Sequence, residues 1–252
     1  MLKAILFDMD DTLLDWSQRS QDWGEYEREH LAYVLEHVAG SGHTVQDIET
    51  FFQAVRTLAS QSWIDAAINM RAPKYADAIE QALAQAGVPA GSFDHETLLR
   101  AYRWGMMDGV LPFPDVTEVL PILVSHGVKL GLVTNASTPM WSRDIELEAA
   151  GILGYFSDCR ISAVDVGYLK PHPLIFQHAL EQLNVASSEV VFVGDNPEAD
   201  VLGAQNVGMK AVLRLVRQMG SSTAKLVSPD AQIQTLHELL PYLDEWFPGW
   251  RS

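Results

Sequence analysis

The chain has 252 residues, of which 48% are hydrophobic, and a formal net charge of −16 at pH 7. This length and apolar fraction suit one large domain, or one domain with a smaller inserted domain, and exclude a disordered chain. The acidic balance repels nucleic-acid phosphates and anionic lipid, so neither nucleic acid nor a membrane is an expected partner. No apolar run approaches the ~20 residues of a spanning helix and no signal peptide is visible, so the expected location is cytoplasmic.

Five short segments rich in β-branched residues predict buried parallel strands, because they are apolar on both alternating faces. In chain order they are KAILFD (3–8), VKLGLVT (128–134), DCRISAV (158–164), EVVFVGD (189–195) and KAVLRLV (210–216). Helical patterns lie between the later strands, at 140–151, 173–184 and 198–208. The segment 231–243 also predicts a helix, with Asp230 as its N-cap. The order predicts an α/β fold with a Rossmann-like, doubly wound parallel sheet, whose ligands lie beyond the carboxyl ends of the strands.

The stretch between the first two strands has a different pattern. Residues 16–109 carry almost no strand signal and contain four helical patterns, at 20–38, 44–63, 73–87 and 94–107. We therefore predict a helical cap domain at 15–110, inserted into a catalytic core formed by 1–14 and 111–252. Helical spacing predicts that Trp23, Trp63 and Trp104 fill the interior of this insert, and the tail WFPGW (246–250) is expected to pack on the core.

Polar side chains follow four of the predicted strands. The segments are DMDDT (8–12), TNAS (134–137), YLKP (168–171) and GDNPEAD (194–200). Because the carboxyl ends of parallel strands meet at one edge of a sheet, these four segments are expected to converge on a single cleft.

The first of these segments crowds three carboxylates, Asp8, Asp10 and Asp11, into four positions. Asp8 is ionised at neutral pH and can attack phosphorus without an activating base, which gives an aspartyl-phosphate. Asp10 can protonate the leaving oxygen and then take a proton from the hydrolytic water. So many like charges also call for a hard divalent cation with oxygen ligands, and Mg²⁺ is the expected cofactor.

The order of the four motifs resembles that of the haloacid dehalogenase superfamily, whose members are mostly phosphatases and other phosphoryl-transfer enzymes. The resemblance covers essentially the whole chain. The sequence DxDx[TV], a later Thr, a downstream Lys and an acidic GD motif make a specific combination, whereas DxD alone is a weak signal. The helical insert resembles the C1-type cap of that superfamily. Asp11 stands where many relatives carry Gly, and Asp tolerates left-handed backbone better than most residues.

This resemblance implies roles for individual residues. The metal ligands would be the Asp8 carboxylate, the Asp10 backbone carbonyl and Asp195, with either Asn196 or Asp200 completing the outer shell. Thr134 and the N–H of Asn135 would bind the transferring phosphoryl group, and Lys170 would neutralise the charge that Asp8 shares with the phosphate. Trp16, close behind the first motif, is a predicted substrate contact.

The resulting hypothesis is a Mg²⁺-dependent phosphatase that hydrolyses a small phosphorylated metabolite, such as a sugar phosphate or a nucleotide monophosphate. A haloacid dehalogenase is the nearest alternative, but that branch uses no metal and lacks an acid two residues after its nucleophile. A phosphomutase shares the whole site and stays open as a second alternative. The remaining alternative is a non-catalytic binding or regulatory protein on the same fold.

Overall fold

A computed structural model describes residues 1–216 and 227–252 of the chain. Within those residues the strands are β1 (Ala4–Phe7), β2 (Leu14–Asp15), β3 (Leu111–Pro112), β4 (Lys129–Thr134), β5 (Cys159–Ser162), β6 (Val190–Gly194), β7 (Lys210–Arg214) and β8 (Ala231–Ile233). The α-helices are α1 (Trp23–Gly40), α2 (Ile48–Asn69), α3 (Tyr75–Gln85), α4 (His95–Tyr102), α5 (Pro114–Ser125), α6 (Met140–Ala149), α7 (Ala163–Val166), α8 (Pro173–Leu183), α9 (Gly203–Asn206) and α10 (Leu239–Trp246).

Six strands form one parallel sheet in the order β5-β4-β1-β6-β7-β8. Along the chain, β4 and β5 are added on one side of β1, and β6, β7 and β8 are then added on the other side. The switch in direction lies beside β1, where open α/β sheets bind their ligands. Phe7, the last residue of β1, pairs with Leu132 of β4 and with Val193 of β6. All five predicted strands and the predicted doubly wound α/β fold are confirmed.

The helix predicted at 231–243 is wrong in its first half. Residues Ala231–Ile233 form the edge strand β8, paired with β7, and the helical backbone begins only at Leu236. Asp230 is not an N-cap, because its carboxylate accepts the N–H of Ala211 at 2.9 Å. Ala231 and Ile233 are buried while Gln232 between them is exposed, and this two-residue alternation is that of a strand.

The helices α1 to α4 form the insert that follows β1 and β2. The chain enters and leaves this insert through two segments that lie side by side, because β2 pairs with β3 and the N–H of Ser20 donates to the carbonyl of Asp108 at 2.9 Å. Gly109 belongs to this junction at φ +85°, and a Cβ there would lie 2.2 Å from the carbonyl oxygen of Gln18. The backbone crossing therefore requires a glycine.

Buried side chains cover both faces of the sheet. Ile5 and Phe7 of β1 belong to one apolar cluster and Ala4 and Leu6 to the other, as expected for a strand with helices on both sides. Trp250 of the tail is buried in the first cluster, so the predicted packing of the tail on the core is confirmed. Over the residues described, none of the helices combines the length and apolarity needed to span a bilayer.

Candidate active site

Asp8 lies immediately after β1, at the centre of the carboxyl edge of the sheet. Its N–H donates to the carbonyl of Val193 in the neighbouring strand at 2.9 Å, and the residue is only 7% exposed. Lys170 reaches it from the segment between α7 and α8, with Nζ 2.6 Å from Asp8 Oδ1 and 2.7 Å from Asp200 Oδ1. Three of the four predicted segments therefore meet in one buried ion-pair network.

Asn135 of the remaining predicted segment fixes the backbone of Lys170. Its side-chain amide donates to the Lys170 carbonyl at 3.0 Å, and its Oδ1 accepts the Lys170 N–H at 2.7 Å. Burial lowers the pKa of the Lys170 amine, but the carboxylates of Asp200 and Asp8 outweigh that cost and leave the pKa raised. Lys170 is therefore a permanent cation at neutral pH.

Asp8 also belongs to a group of three closely spaced carboxylates. One oxygen from each of Asp8, Asp195 and Asp200 lies within 4.8 Å of the others. Gly194 makes this approach possible, because a Cβ there would lie 2.3 Å from the Asp200 carboxylate. The Asp200 Oδ2 accepts the N–H of Asn196 at 2.9 Å, which orients that carboxylate.

The crowding raises the pKa of two of these acids. Burial, opposed by Lys170 and reinforced by the neighbouring carboxylates, raises the pKa of Asp8 to about 8. Burial, together with the charge of Asp200, raises the pKa of Asp195 to about 7. Both shifts express the unfavourable energy of several anions in a space of low polarity, which a bound cation relieves.

The Asp10 side chain is held by a different set of partners. Its Oδ1 accepts two donors, Trp16 Nε1 at 2.8 Å and Arg143 Nη2 at 2.6 Å. Arg143 is buried in α6, and its Nε lies 3.0 Å from the carboxylate of Glu146. A chain of alternating charges, with its Arg143 and Glu146 members buried, therefore fixes the orientation of the partly exposed Asp10. Asp11 has a φ of +56°, the left-handed conformation that Asp was expected to tolerate at this position.

Thr134 and Asn196 complete the predicted set. Thr134 is the buried last residue of β4, next to β1 at the carboxyl edge. The Asn196 side chain accepts the N–H groups of Glu198 and Ala199 and so caps the turn that follows. Of the two candidates for the outer shell, Asp200 belongs to the group of three carboxylates, and the Asn196 side-chain oxygen is engaged by backbone donors.

A cavity of about 200 Å³ opens beside Asp10, between the insert and the loop after β4. The indoles of Trp23, Trp63 and Trp104 line it. Trp23 and Trp63 are 39% and 40% exposed, so the expectation that they fill the interior of the insert is wrong. Helical spacing identifies an apolar face, but it does not show whether that face meets another helix or a cleft.

Arg143 had no role in the sequence analysis. The only local signal is the Arg–Glu spacing of three residues within α6, which is common on solvent-exposed helices. Its burial and its contact with Asp10, 133 residues away along the chain, exist only in the folded protein.

A family model of haloacid dehalogenase-like hydrolases matches residues 2–208. The chain belongs to this family. A glyceraldehyde 3-phosphate phosphatase from Pyrococcus abyssi is 30% identical over 217 residues, which are 84% of this chain and 81% of the relative. A phosphoglycolate phosphatase from Escherichia coli is 30% identical over 96% of this chain and 92% of its own length. A crystal structure of 2-haloacid dehalogenase from Pseudomonas syringae superposes with a TM-score of 0.65, at 25% identity over 98% of this chain and all of the other.

These matches confirm the predicted superfamily and the predicted enzyme class, a hydrolase of the phosphatase type. The similarity to both phosphatases and a dehalogenase reflects a shared architecture. The side chains of this site are what distinguish the two chemistries.

Proposed function

We propose that this hydrolase is a Mg²⁺-dependent phosphatase that releases inorganic phosphate from a small phosphorylated metabolite through an aspartyl-phosphate on Asp8. The observation that carries the proposal is the position of Asp8, which contacts the Lys170 amine and lies within 4.8 Å of the carboxylates of Asp195 and Asp200. An anionic nucleophile surrounded by further anions accepts a phosphate only when cations offset their repulsion.

The donor set suits Mg²⁺. It consists of oxygen ligands from closely spaced carboxylates, the ligand type that this hard cation prefers. Asp8, Asp195 and the backbone carbonyl of Asp10 would hold it. Asp200 would support them by orienting the Lys170 amine and offsetting its charge. Bound there, Mg²⁺ supplies positive charge to the phosphoryl oxygens and keeps Asp8 ionised.

The residues of this chain then divide the reaction between them. A carboxylate oxygen of Asp8 forms the bond to phosphorus while the bond to the leaving oxygen breaks, and Asp10 gives that oxygen its proton. Lys170, Thr134 and the N–H of Asn135 stabilise the charge on the phosphoryl oxygens. In the second step Asp10 takes a proton from water as that water attacks phosphorus, and the bond from Asp8 to phosphorus breaks.

Asp10 also separates this proposal from the dehalogenase alternative. Displacement of a halide needs no proton donor for the leaving group, whereas a departing alkoxide does. Two donors, Trp16 and Arg143, hold the Asp10 carboxylate in a fixed orientation, which suits a general acid positioned at the leaving group.

The test is a phosphate-release screen over sugar phosphates, nucleotide monophosphates, glyceraldehyde 3-phosphate and phosphoglycolate, with Mg²⁺ and with a chelator. We expect Mg²⁺-dependent release, lost by at least about 10³-fold in Asp8→Asn with the unfolding transition retained. Undiminished phosphate release from that variant would refute the role of Asp8. Release of halide from 2-chloropropionate without Mg²⁺ would favour the dehalogenase alternative instead, and transfer of the phosphoryl group back to the substrate would favour a mutase.

A further inference from the structure

The cavity beside Asp10 has an unusual wall. Three indoles, those of Trp23, Trp63 and Trp104, and the phenol ring of Tyr75 line it from the insert, while Asp10, Arg143 and residues 135–138 of the loop after β4 line it from the catalytic core. The Tyr75 hydroxyl donates to Glu27 at 2.9 Å on the side of the insert, so its polar end is already satisfied there. The insert therefore presents largely aromatic surface to the cavity.

Two of these indoles are only partly covered by the protein. Trp23 and Trp63 are 39% and 40% exposed, and the ring of Trp23 lies 5.8 Å from that of Trp104 at an angle of 56°. Large aromatic side chains that stay open to water around a concave site gain free energy when a ligand covers them. A flat ring gains most, because it stacks on one indole and meets the edge of another.

The charge of the cavity restricts the occupant further. Among the described residues that line it, Arg143 is the one cation, and Asp10 and Glu146 already neutralise it at 2.6 Å and 3.0 Å. A second phosphate or a carboxylate on the substrate would therefore find no free positive charge. The Arg143 guanidinium lies 5.6 Å from the centre of the Trp104 ring, so one of the three indoles already faces a cation.

We propose that this cavity binds a planar, uncharged single ring, and that the enzyme prefers phosphate monoesters whose alcohol carries one aromatic or heteroaromatic ring. The inference rests on the proposed function, since the group beside Asp10 is the leaving group only if Asp10 protonates it. Size supports a single ring, because a cavity of about 150 Å³ holds benzene and this one has about 200 Å³.

The test compares phosphate esters whose alcohols have similar basicity, so that differences in leaving-group reactivity are not mistaken for differences in binding. The substrates are benzyl phosphate, cyclohexylmethyl phosphate, glycerol 3-phosphate and choline phosphate. We expect kcat/KM for benzyl phosphate to exceed that for the other three by about 10-fold or more, the size expected of one aromatic stacking contact. Equal rates for benzyl and cyclohexylmethyl phosphate, or a preference for glycerol 3-phosphate or choline phosphate, would overturn the inference.

The variants Trp63→Ala and Trp63→Phe locate the effect. We expect Trp63→Ala to reduce the ratio of benzyl to cyclohexylmethyl kcat/KM about 10-fold and Trp63→Phe to restore most of it. Ile64→Ala, at the exposed neighbouring position of α2, is the matched control and should leave the ratio unchanged. A ratio that is insensitive to Trp63→Ala would contradict the assignment of the cavity.

A binding measurement separates this inference from the proposed function. Benzylphosphonate and ethylphosphonate are not hydrolysed, and titration calorimetry with Mg²⁺ compares their affinities directly. Tighter binding of benzylphosphonate by about 10-fold supports the ring site even if every phosphate ester proves inert, an outcome that would count only against the proposed function. Equal affinities would overturn the ring site even in an active phosphatase.

Discussion

Lys170 Nζ lies 2.7 Å from Asp200 Oδ1, and both side chains are almost completely buried. The same amine contacts Asp8 at 2.6 Å, so one cation serves the proposed nucleophile and an acid that does not react. Asp200 in turn is oriented by the N–H of Asn196. This arrangement fixes the Lys170 amine beside Asp8, where the transferring phosphoryl group would arrive.

Removal of this cation should destabilise the protein as well as inactivate it. Lys170→Met leaves buried carboxylates without their counter-charge, and breaking a buried pair from one side costs about 3–5 kcal/mol. We expect the free energy of unfolding in chelator to fall by that order, and Mg²⁺ to restore part of the loss. Lys210→Met is the control, because its partly exposed pair with Asp230 is worth less than about 1 kcal/mol. Equal losses in the two variants would contradict the network.

Asp10→Asn should lower kcat in a way that depends on the leaving group. General acid catalysis contributes about 10²- to 10⁴-fold, so alkyl phosphates should lose that much. The loss should be far smaller for p-nitrophenyl phosphate, whose leaving group departs as a stable anion. Asp11→Asn, which keeps a residue tolerant of the left-handed backbone, is the neighbouring control and should show no such dependence. A uniform loss across all leaving groups would argue against Asp10 as the acid.

Trp16→Phe tests whether this residue positions Asp10 or contacts the substrate. The Phe ring keeps most of the packing and removes only the N–H that donates to Asp10 at 2.8 Å. We expect kcat for alkyl phosphates to fall about 10-fold, KM to stay nearly constant, and Trp16→Phe to cause no further loss when it is introduced into the Asp10→Asn variant. A change confined to KM would instead support the substrate contact predicted from the sequence.

Binding of Mg²⁺ at pH 7 should release protons. The pKa of Asp195 is raised to about 7 and that of Asp8 to about 8, so the metal-free protein holds protons there that ligation displaces. Calorimetric titration in two buffers of different ionisation enthalpy should show release that is largest near pH 6–7 and vanishes above about pH 9. Proton release that does not change with pH, or that Asp195→Asn leaves unaltered, would contradict these shifts.

The same shifts fix the sign of the pH dependence of stability. The pKa of an aspartate is near 4 in the unfolded chain, whereas the folded pKa is about 7 for Asp195 and about 8 for Asp8. At pH values between these limits the native state binds more protons than the unfolded state. Stability in chelator should therefore fall as the pH rises from about 4 to about 8, and Mg²⁺ should flatten that decline. Denaturant unfolding in a series of buffers, with and without the metal, measures both curves.

Gly109→Ala should weaken the junction at which the chain enters and leaves the helical insert. An added Cβ would meet the Gln18 carbonyl at 2.2 Å, on top of the cost of a side chain at φ +85°. Gly42 has the same φ with open space around it, so Gly42→Ala carries only the conformational cost of about 1–2 kcal/mol. We expect Gly109→Ala to be clearly the more destabilising of the two in denaturant unfolding. Similar losses would show that the crossing segments can separate freely.

The strands and the order of the motifs could be predicted from the sequence because both depend on local pattern. Continuous apolar runs such as EVVFVGD identify buried parallel strands, and the edge strand at 231–233 was missed because three alternating residues are too few to outweigh the helical pattern after them. The approach of Asp8 to Asp195 could be predicted because parallel strands bring their carboxyl ends to one edge whatever their separation along the chain. Lys170 lies beyond a further helix, α7, and its place was implied by the resemblance of the motif order to the family.

Other features depended on the approach of distant segments. Arg143 and Trp16 converge on one oxygen of Asp10, and Asn135 holds the backbone of Lys170. The indoles of Trp23 and Trp63 line an open cavity instead of filling a core. The sequence by itself determined which faces of the strands and helices are apolar and which strand ends carry charge, because both are properties of a single element. Only the tertiary structure decided which partner each side chain meets, because packing of the insert against the sheet sets those distances.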